Sequence, residues 1–379
     1  MTPMVPLETA ARATPRVPYA DFPAQFAAQR EELLGVMERV LRRGDFILGE
    51  EVGTLERDIA ALCGLRHAVG VASGTDALIL ALKALEIGPG DEVITVPNSW
   101  ISSTSSIVLS GARPVFVDVR DDFNMDPARI ESAITPRTKA ILPVHLTGRC
   151  ADMEAICAVA ARHGLAVIED AAQALGAGLT GRAAGSFGTM GCFSFHPLKN
   201  LSGIGDGGMV VTRDDRLAER LRLLRNHGLR SRDEAILWGL NSRLDTIDAA
   251  VLRWRLTQLP AVTEARRRHA ARYRAALAST VSCPVDRPEE SAIYHLFMIQ
   301  CERRDALRRW LSERGIGTKI HYPTPIHLQP CARSLGYRRG AFPVAEAQAQ
   351  RILSLPVHQH LSAEQIEYVA QSIADFTRG

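Results

Sequence analysis

The chain has 379 residues, 46% of them hydrophobic, and a formal net charge of +3. That is enough apolar material for one substantial core and a smaller second one, while the near-balanced charge and the lack of basic runs interleaved with aromatics give no basis for nucleic-acid binding. No stretch approaches a membrane span, and cysteines dispersed at 63, 150, 157, 192, 283, 301 and 331 without a CxxC pair indicate neither a zinc site nor a disulfide framework, so a reducing cytoplasm is expected.

In chain order, residues 1–20 read as a mobile lead-in that lacks the apolar core of a secretory signal. A helix is expected over 24–42, with Phe26, Leu33, Leu34, Met37 and Leu41 at helical spacing, and a second around Leu55, Ile59 and Leu62. AVGVASGTDALILALKAL, residues 68–85, reads as a strand, a Ser73-Gly74-Thr75 turn and a helix. Such a turn either caps its helix or points backbone N–H groups and a hydroxyl at an anion. DEVITVP, RPVFVD and KAILPVHL read as strands, NSWISSTSSIVLSG as near-helical, and ADMEAICAVAARHG as a helix stopped by Gly164. LAVIED then places Glu169 and Asp170 at a strand's carboxyl end, where open α/β sheets hold ligands. Neighbouring strand residues face opposite ways, so only one of these acids can serve a given site.

The chain is organised around GCFSFHPLKNLSGIGDGGMVVT, residues 191–212. Pro197, Gly203, Gly205, Gly207 and Gly208 interrupt regular structure between two apolar strands and leave Lys199 on an irregular loop. A lysine becomes a covalent catalyst when burial or nearby positive charge lowers its pKa. Downstream, Leu217, Leu221 and Leu224 mark a helix, and residues 243–278 are largely helical, kinked or broken at Pro260, with Arg266, Arg267 and Arg268 on a solvated face. YHLFMIQC, a helix from Asp305 to Glu313, GIGTKIHYP, a helix near Ala345, ILSLP and a closing helix introduced by the Ser362 to Gln365 capping box form a smaller α/β unit. The expected class is α/β, with a large domain at 21–250 around a mostly parallel sheet and a small C-terminal domain at 251–379. A phosphate cradle, a strand-end carboxylate and a glycine-framed lysine in this order suggest pyridoxal phosphate.

With VASGTDALILAL, GPGDEVITVPNSW, VIEDAAQALGA, FSFHPLKN, GDGGMV and NSRLD in one order, the chain resembles the DegT/DnrJ/EryC1/StrS sugar aminotransferases, fold-type I pyridoxal-phosphate enzymes, from about residue 17 onward. The resemblance implies that Lys199 forms the Schiff base and then moves the proton of transamination, and that Asp170 partners the pyridine nitrogen. It implies that Gln173 lies near the ring, that Trp100 covers it, that Gly74, Thr75 and Ser194 hold the phosphate, and that Asn241 reaches the phosphate from the neighbouring subunit of a homodimer with shared active sites. No metal is implied. L-glutamate would be the donor, pyridoxamine phosphate the intermediate form, and a nucleotide-linked ketosugar the acceptor. The small-domain motifs lean to C3 of a dTDP- or UDP-linked 3-keto hexose over C4 amination or an amino-cyclitol. A related sugar dehydratase would carry histidine in place of Lys199. His196 is expected to pack or orient the lysine loop and His145 to lie near the cofactor without catalysing, while His321 and His327 either line the sugar pocket or serve locally. Thr189 and Asp248 stand where the family usually has an acidic residue and a glutamine, which puts a loop contact and an interface or helix contact in doubt.

Overall fold

Apolar strands buried on both faces must pair with one another to satisfy their amides. In the structure, a computed structural model that describes residues 16–378, they form a seven-stranded sheet. Its strands are β1 (His67–Val71), β2 (Glu92–Thr95), β3 (Arg113–Phe116), β4 (Thr138–Ile141), β5 (Ala166–Asp170), β6 (Met190–Ser194) and β7 (Gly208–Thr212), in the spatial order β1-β7-β6-β5-β4-β2-β3. β7 is antiparallel to both neighbours, and the remaining pairings are parallel. The expected mostly parallel sheet is present, and the carboxyl ends of its parallel strands share one edge.

Seven helices belong to this part: α1 (Phe22–Arg43), α2 (Glu50–Leu62), α3 (Gly74–Ala84), α4 (Ile101–Leu109), α5 (Met153–His163), α6 (Asp215–Leu224) and α7 (Thr246–Leu277). α3 buries residues all round, as its near-continuous apolar sequence requires. α5 ends where Gly164 takes a left-handed conformation, φ 63°. α1 differs from expectation in its inward face: Leu33, Val36 and Val40 are buried, while Phe26, Leu34 and Leu41 are exposed. α7 also corrects the reading, because it runs unbroken through Pro260. That residue is exposed, so the carbonyl it leaves without a backbone donor can be met by water.

A second hydrophobic cluster forms around Tyr273 and Leu277 of α7, Phe297 and Ile299, Leu307 and Leu311, Leu353 and Leu355, and Val369 and Ile373. Its elements are β8 (Phe297–Gln300), α8 (Arg304–Glu313), β9 (Ile352–Leu355) and α10 (Ala363–Arg378), while α9 (Pro343–Arg351) packs Ala345 into the first cluster. α7 thus serves both clusters, and position 250 lies inside it. The capping box before α10 forms as expected: Gln365 N donates to Ser362 Oγ at 3.2 Å and Ser362 N to Gln365 Oε1 at 3.0 Å. Residues 1–15 of the expected lead-in lie outside the described residues, whereas Val17 is fully buried and bridges to Ile316. Among the described residues, no helix is long and apolar enough to cross a membrane.

The loop between β6 and β7 is braced from α7. Ile204 N donates to Asp248 Oδ1 at 2.8 Å, and Arg255 Nη1 donates to the carbonyls of Ser202 at 2.7 Å and Gly203 at 3.0 Å. A Cβ on Gly203 would stand 2.5 Å from the Asp248 carboxylate, so the close approach requires glycine. Thr189 makes its own loop contact, accepting from Val167 N at 3.2 Å through its hydroxyl.

Asp248 Oδ2 is buried without a partner, and burial raises the carboxyl pKa from 3.8 to about 6. A carboxyl whose folded pKa is raised destabilises the fold when ionised. The penalty is absent below about pH 4, grows as pH rises and is complete above about 6. Relative to the native chain, Asp248→Asn is therefore expected to gain stability between pH 4 and pH 8 by on the order of 3 kcal/mol, read from denaturant unfolding at the two pH values. A pH-independent difference would exclude an ionising buried Asp248.

Candidate active site

Strand ends and one helix start converge on the carboxyl edge of the sheet. β5 delivers Asp170, and β6 delivers Ser194 and the loop bearing Lys199. The segment after β1 supplies the start of α3, and the segment after β2 supplies Trp100 as the N-cap of α4.

The adjacent acids of β5 do separate work. Asp170 Oδ2 accepts from Ser103 Oγ at 2.6 Å and its Oδ1 from Ala172 N at 3.2 Å. Glu169, on the other face, accepts from Gly185 N at 2.7 Å, Gly188 N at 2.6 Å and His145 Nε2 at 2.8 Å. Ala151 N donates to His145 Nδ1 at 3.1 Å, which fixes the ring proton on Nε2. His145 is fully buried, and its ring serves Glu169 and the structure behind the strand. The expected approach to the cofactor is corrected accordingly.

Lys199 closes a tight turn that begins at His196, its N–H donating to His196 O at 2.8 Å. Burial pushes its pKa down to about 8, against the opposing charge of Asp170. His196 is exposed and accepts from Leu198 N at 3.2 Å through Nδ1, so it orients this turn.

At the start of α3, Ser73 Oγ accepts from Asp76 N at 3.0 Å, leaving the amides of Gly74 and Thr75 directed outward. Gly74 passes so near Ser194 that a Cβ would lie 2.6 Å from the serine Cβ. The Thr75 hydroxyl lies 2.8 Å from that of Ser102. Gln173 is buried, with Oε1 accepting from Thr147 N at 2.8 Å. Trp100 is 58% exposed and tilts against Tyr322, ring centroids 5.5 Å apart. Asn241 is exposed and makes no hydrogen bond to the cradle within its own chain, but the neighbouring Ser242 donates to Asp76 Oδ2 at 2.6 Å.

The two small-domain histidines part company. His321 lines a recess beside Lys199 and pairs with Ser354 Oγ at 2.8 Å through Nδ1. His327 is buried against Phe342, with Nε2 bonded to Glu346 Oε1 at 2.9 Å, so its role is local. Sequence reasoning missed Ser103, Tyr322 and His295 and misplaced Arg266, which is buried and lines the same recess. Ser103 stands one turn beyond Trp100, a spacing that could have indicated it.

These residues fit pyridoxal phosphate: amides and hydroxyls for a phosphate, a carboxylate for a ring nitrogen, an exposed indole for a ring face, and an amine near neutrality. The profile of the DegT/DnrJ/EryC1/StrS aminotransferase family matches residues 27–374. The chain is 46% identical over 366 residues to a dTDP-3-amino-3,4,6-trideoxy-alpha-D-glucose transaminase of Streptomyces venezuelae, covering 96% of this chain and 97% of that one. It is 48% identical over 362 residues to a UDP-N-acetyl-3-dehydro-alpha-D-glucosamine 3-aminotransferase of Acidithiobacillus ferrooxidans, covering 94% and 97%. The fold superposes, with a TM-score of 0.94 and 46% identity, on the crystal structure of S. venezuelae DesV in complex with a ketimine intermediate, covering 97% of this chain and 100% of that one.

Attachment of the cofactor to Lys199 requires the free amine. When cofactor-free protein is mixed with pyridoxal phosphate, the rate of appearance of the yellow band is expected to rise through about pH 8 and then level off. Asp170→Asn removes the charge that favours the cation, so its midpoint should fall below that of the native protein. A midpoint near that of an ordinary lysine, or borohydride labelling at another lysine, would contradict the site.

Proposed function

The chain belongs to the DegT/DnrJ/EryC1/StrS aminotransferase family and is a pyridoxal-phosphate-dependent aminotransferase, and from that premise we propose that it transfers the amino group of L-glutamate to C3 of a dTDP- or UDP-linked 3-keto hexose. The observation that carries the chemistry is the convergence of the Lys199 loop, Asp170 at the end of β5 and the start of α3 on one edge of the sheet, where burial brings the Lys199 pKa down to about 8. Bound pyridoxal phosphate supplies the carbonyl that carries the amino group and the ring that takes up electrons from a broken C–H bond. Lys199 would hold that group through its amine and, when free of it, would carry a proton from the donor carbon and return one to the acceptor carbon. Asp170, oriented by Ser103 and the Ala172 amide, would present its carboxylate to the ring nitrogen. Gly74, Thr75 and Ser194 would seat the phosphate, Gln173 would lie by the ring, and Trp100 would cover its open side.

Two relatives, a dTDP-3-amino-sugar transaminase and a 3-aminotransferase of a UDP-linked sugar, support the C3 assignment. Exposed apolar groups near Asn241 support a homodimer. Trp238 is 98% exposed, Leu240 adjoins Asn241, and Ile47 is exposed and bridges to Asp245. A second copy seated there would bring its Asn241 to this chain's phosphate cradle. Seven unpaired cysteines suit a reducing cytoplasm.

If the sites are shared, Lys199→Ala and Asn241→Ala subunits are each expected to be impaired, and mixing them should restore part of the activity through a site with both residues intact. A fully active monomer would exclude sharing. The substrate assignment is tested by offering the enzyme and glutamate matched 3-keto and 4-keto nucleotide sugars and locating the new C–N bond by NMR. Amination at C3 is expected; preferential reaction at C4, or with a ketocyclitol alone, would overturn the acceptor while leaving the transamination chemistry standing.

A further inference from the structure

We propose that Arg266 seats a carboxylate of the amino donor beside Lys199; the inference rests on the donor being an amino acid, as read above. Arg266 is only 7% exposed. Its Nη1 donates to the carbonyls of Tyr294 at 3.1 Å and His295 at 3.3 Å, and its Nε is buried with no partner. Among the described residues no carboxylate pairs with it. Burial pushes its pKa down only to about 10, so the charge persists at neutral pH. A buried cation without a counter-ion is costly unless an anion arrives to meet it.

The recess that Arg266 shares with Lys199 indicates which anion. Its wall includes Tyr19 and three histidines, His295, His321 and His358, whose imidazoles have pKa values pushed down by burial and are neutral near pH 7. His295 lines the recess together with Lys199 and Arg266, and its carbonyl accepts from Arg266 Nη1. Asp21 also borders the recess, but its carboxylate caps α1 by accepting from Ala24 N at 2.9 Å. The recess offers about 70 Å³, small beside the several hundred Å³, roughly, of an ordinary ligand pocket. That volume takes a carboxylate end rather than a sugar nucleotide. The planar fork of a guanidinium suits a carboxylate in a way that a lysine does not.

The test separates the two half-reactions of cofactor-loaded enzyme. In Arg266→Gln, the glutamate concentration that half-bleaches the yellow band should rise roughly 10- to 100-fold, as expected for loss of a charge-assisted contact, and Arg266→Lys should recover part of it. The reverse half-reaction, from the pyridoxamine form and ketosugar, should stay within about twofold. Glutarate, which carries the donor's carboxylates without its amine, should bind the native holoenzyme by calorimetry and compete with glutamate, and should bind Arg266→Lys more weakly. The calorimetric and lysine arms still decide the matter if the glutamine variant does not fold. Unchanged glutamate dependence in Arg266→Lys, equal loss in both half-reactions, a loss confined to the ketosugar, or no glutarate binding to native enzyme would overturn the assignment. If glutamate fails to bleach the native enzyme, the donor reading fails, and glutarate binding that depends on Arg266 still judges the seat.

Discussion

A carboxylate at the end of β5 and an amine on the loop after β6 oppose one another, and the amine must be held in the form that the carboxylate disfavours. The charge of Asp170 favours the ammonium of Lys199, while burial disfavours it, and burial prevails to leave a pKa of about 8. At pH 7 roughly a tenth of such a lysine is free amine, on the order of 200-fold more than for an ordinary lysine. The surrounding fold maintains that balance. The sheet buries the strand ends, Ser103 fixes the Asp170 carboxylate, and the turn through His196 commits the lysine backbone.

The neighbouring acid shows how the balance is kept. Glu169 is as buried as any residue in the protein, yet it accepts from two loop amides and an imidazole whose tautomer is set by Ala151. It therefore fastens the segment around Gly185 and Gly188 to the back of β5. With Asp170 in register opposite Cys192 of β6, a slip of one residue would exchange the two carboxylates between faces. One acid holds the strand so that the other can face the lysine.

Much of this was legible because strand periodicity and glycine placement are local. The strand alternation, the Ser73 cap, the opposed acids of β5 and the Ser362 capping box all depend on residues within a few positions of one another. What was lost depended on partners distant in sequence. Nothing local tells Leu33 from Leu34 as the inward residue of α1, because both fit a helical stripe and the choice is made by α7. His327 has a partner nineteen positions away in Glu346. Arg266 is the instructive case: a run of three arginines reads as a solvated face, but Leu259, Thr263, Arg266, Ala270, Tyr273 and Leu277 recur at three- and four-residue steps and are all buried. The stripe includes one of the three arginines, and periodicity should have outweighed composition.

The same helix ties these details to function. α7 meets the lysine loop through Asp248 and Arg255 and reaches the donor side of the recess with Arg266. Asp248 and Arg266 are eighteen residues apart, a rise of about 27 Å in a continuous helix, so their spacing is set by one rigid element rather than by separate loops. A break at Pro260, which lies between Arg255 and Arg266, would uncouple the brace of the lysine loop from the floor of the recess. An exposed proline whose lost bond can be met by water leaves the helix continuous, and that continuity links the brace of the lysine loop at Asp248 and Arg255 to Arg266 in the recess beside Lys199.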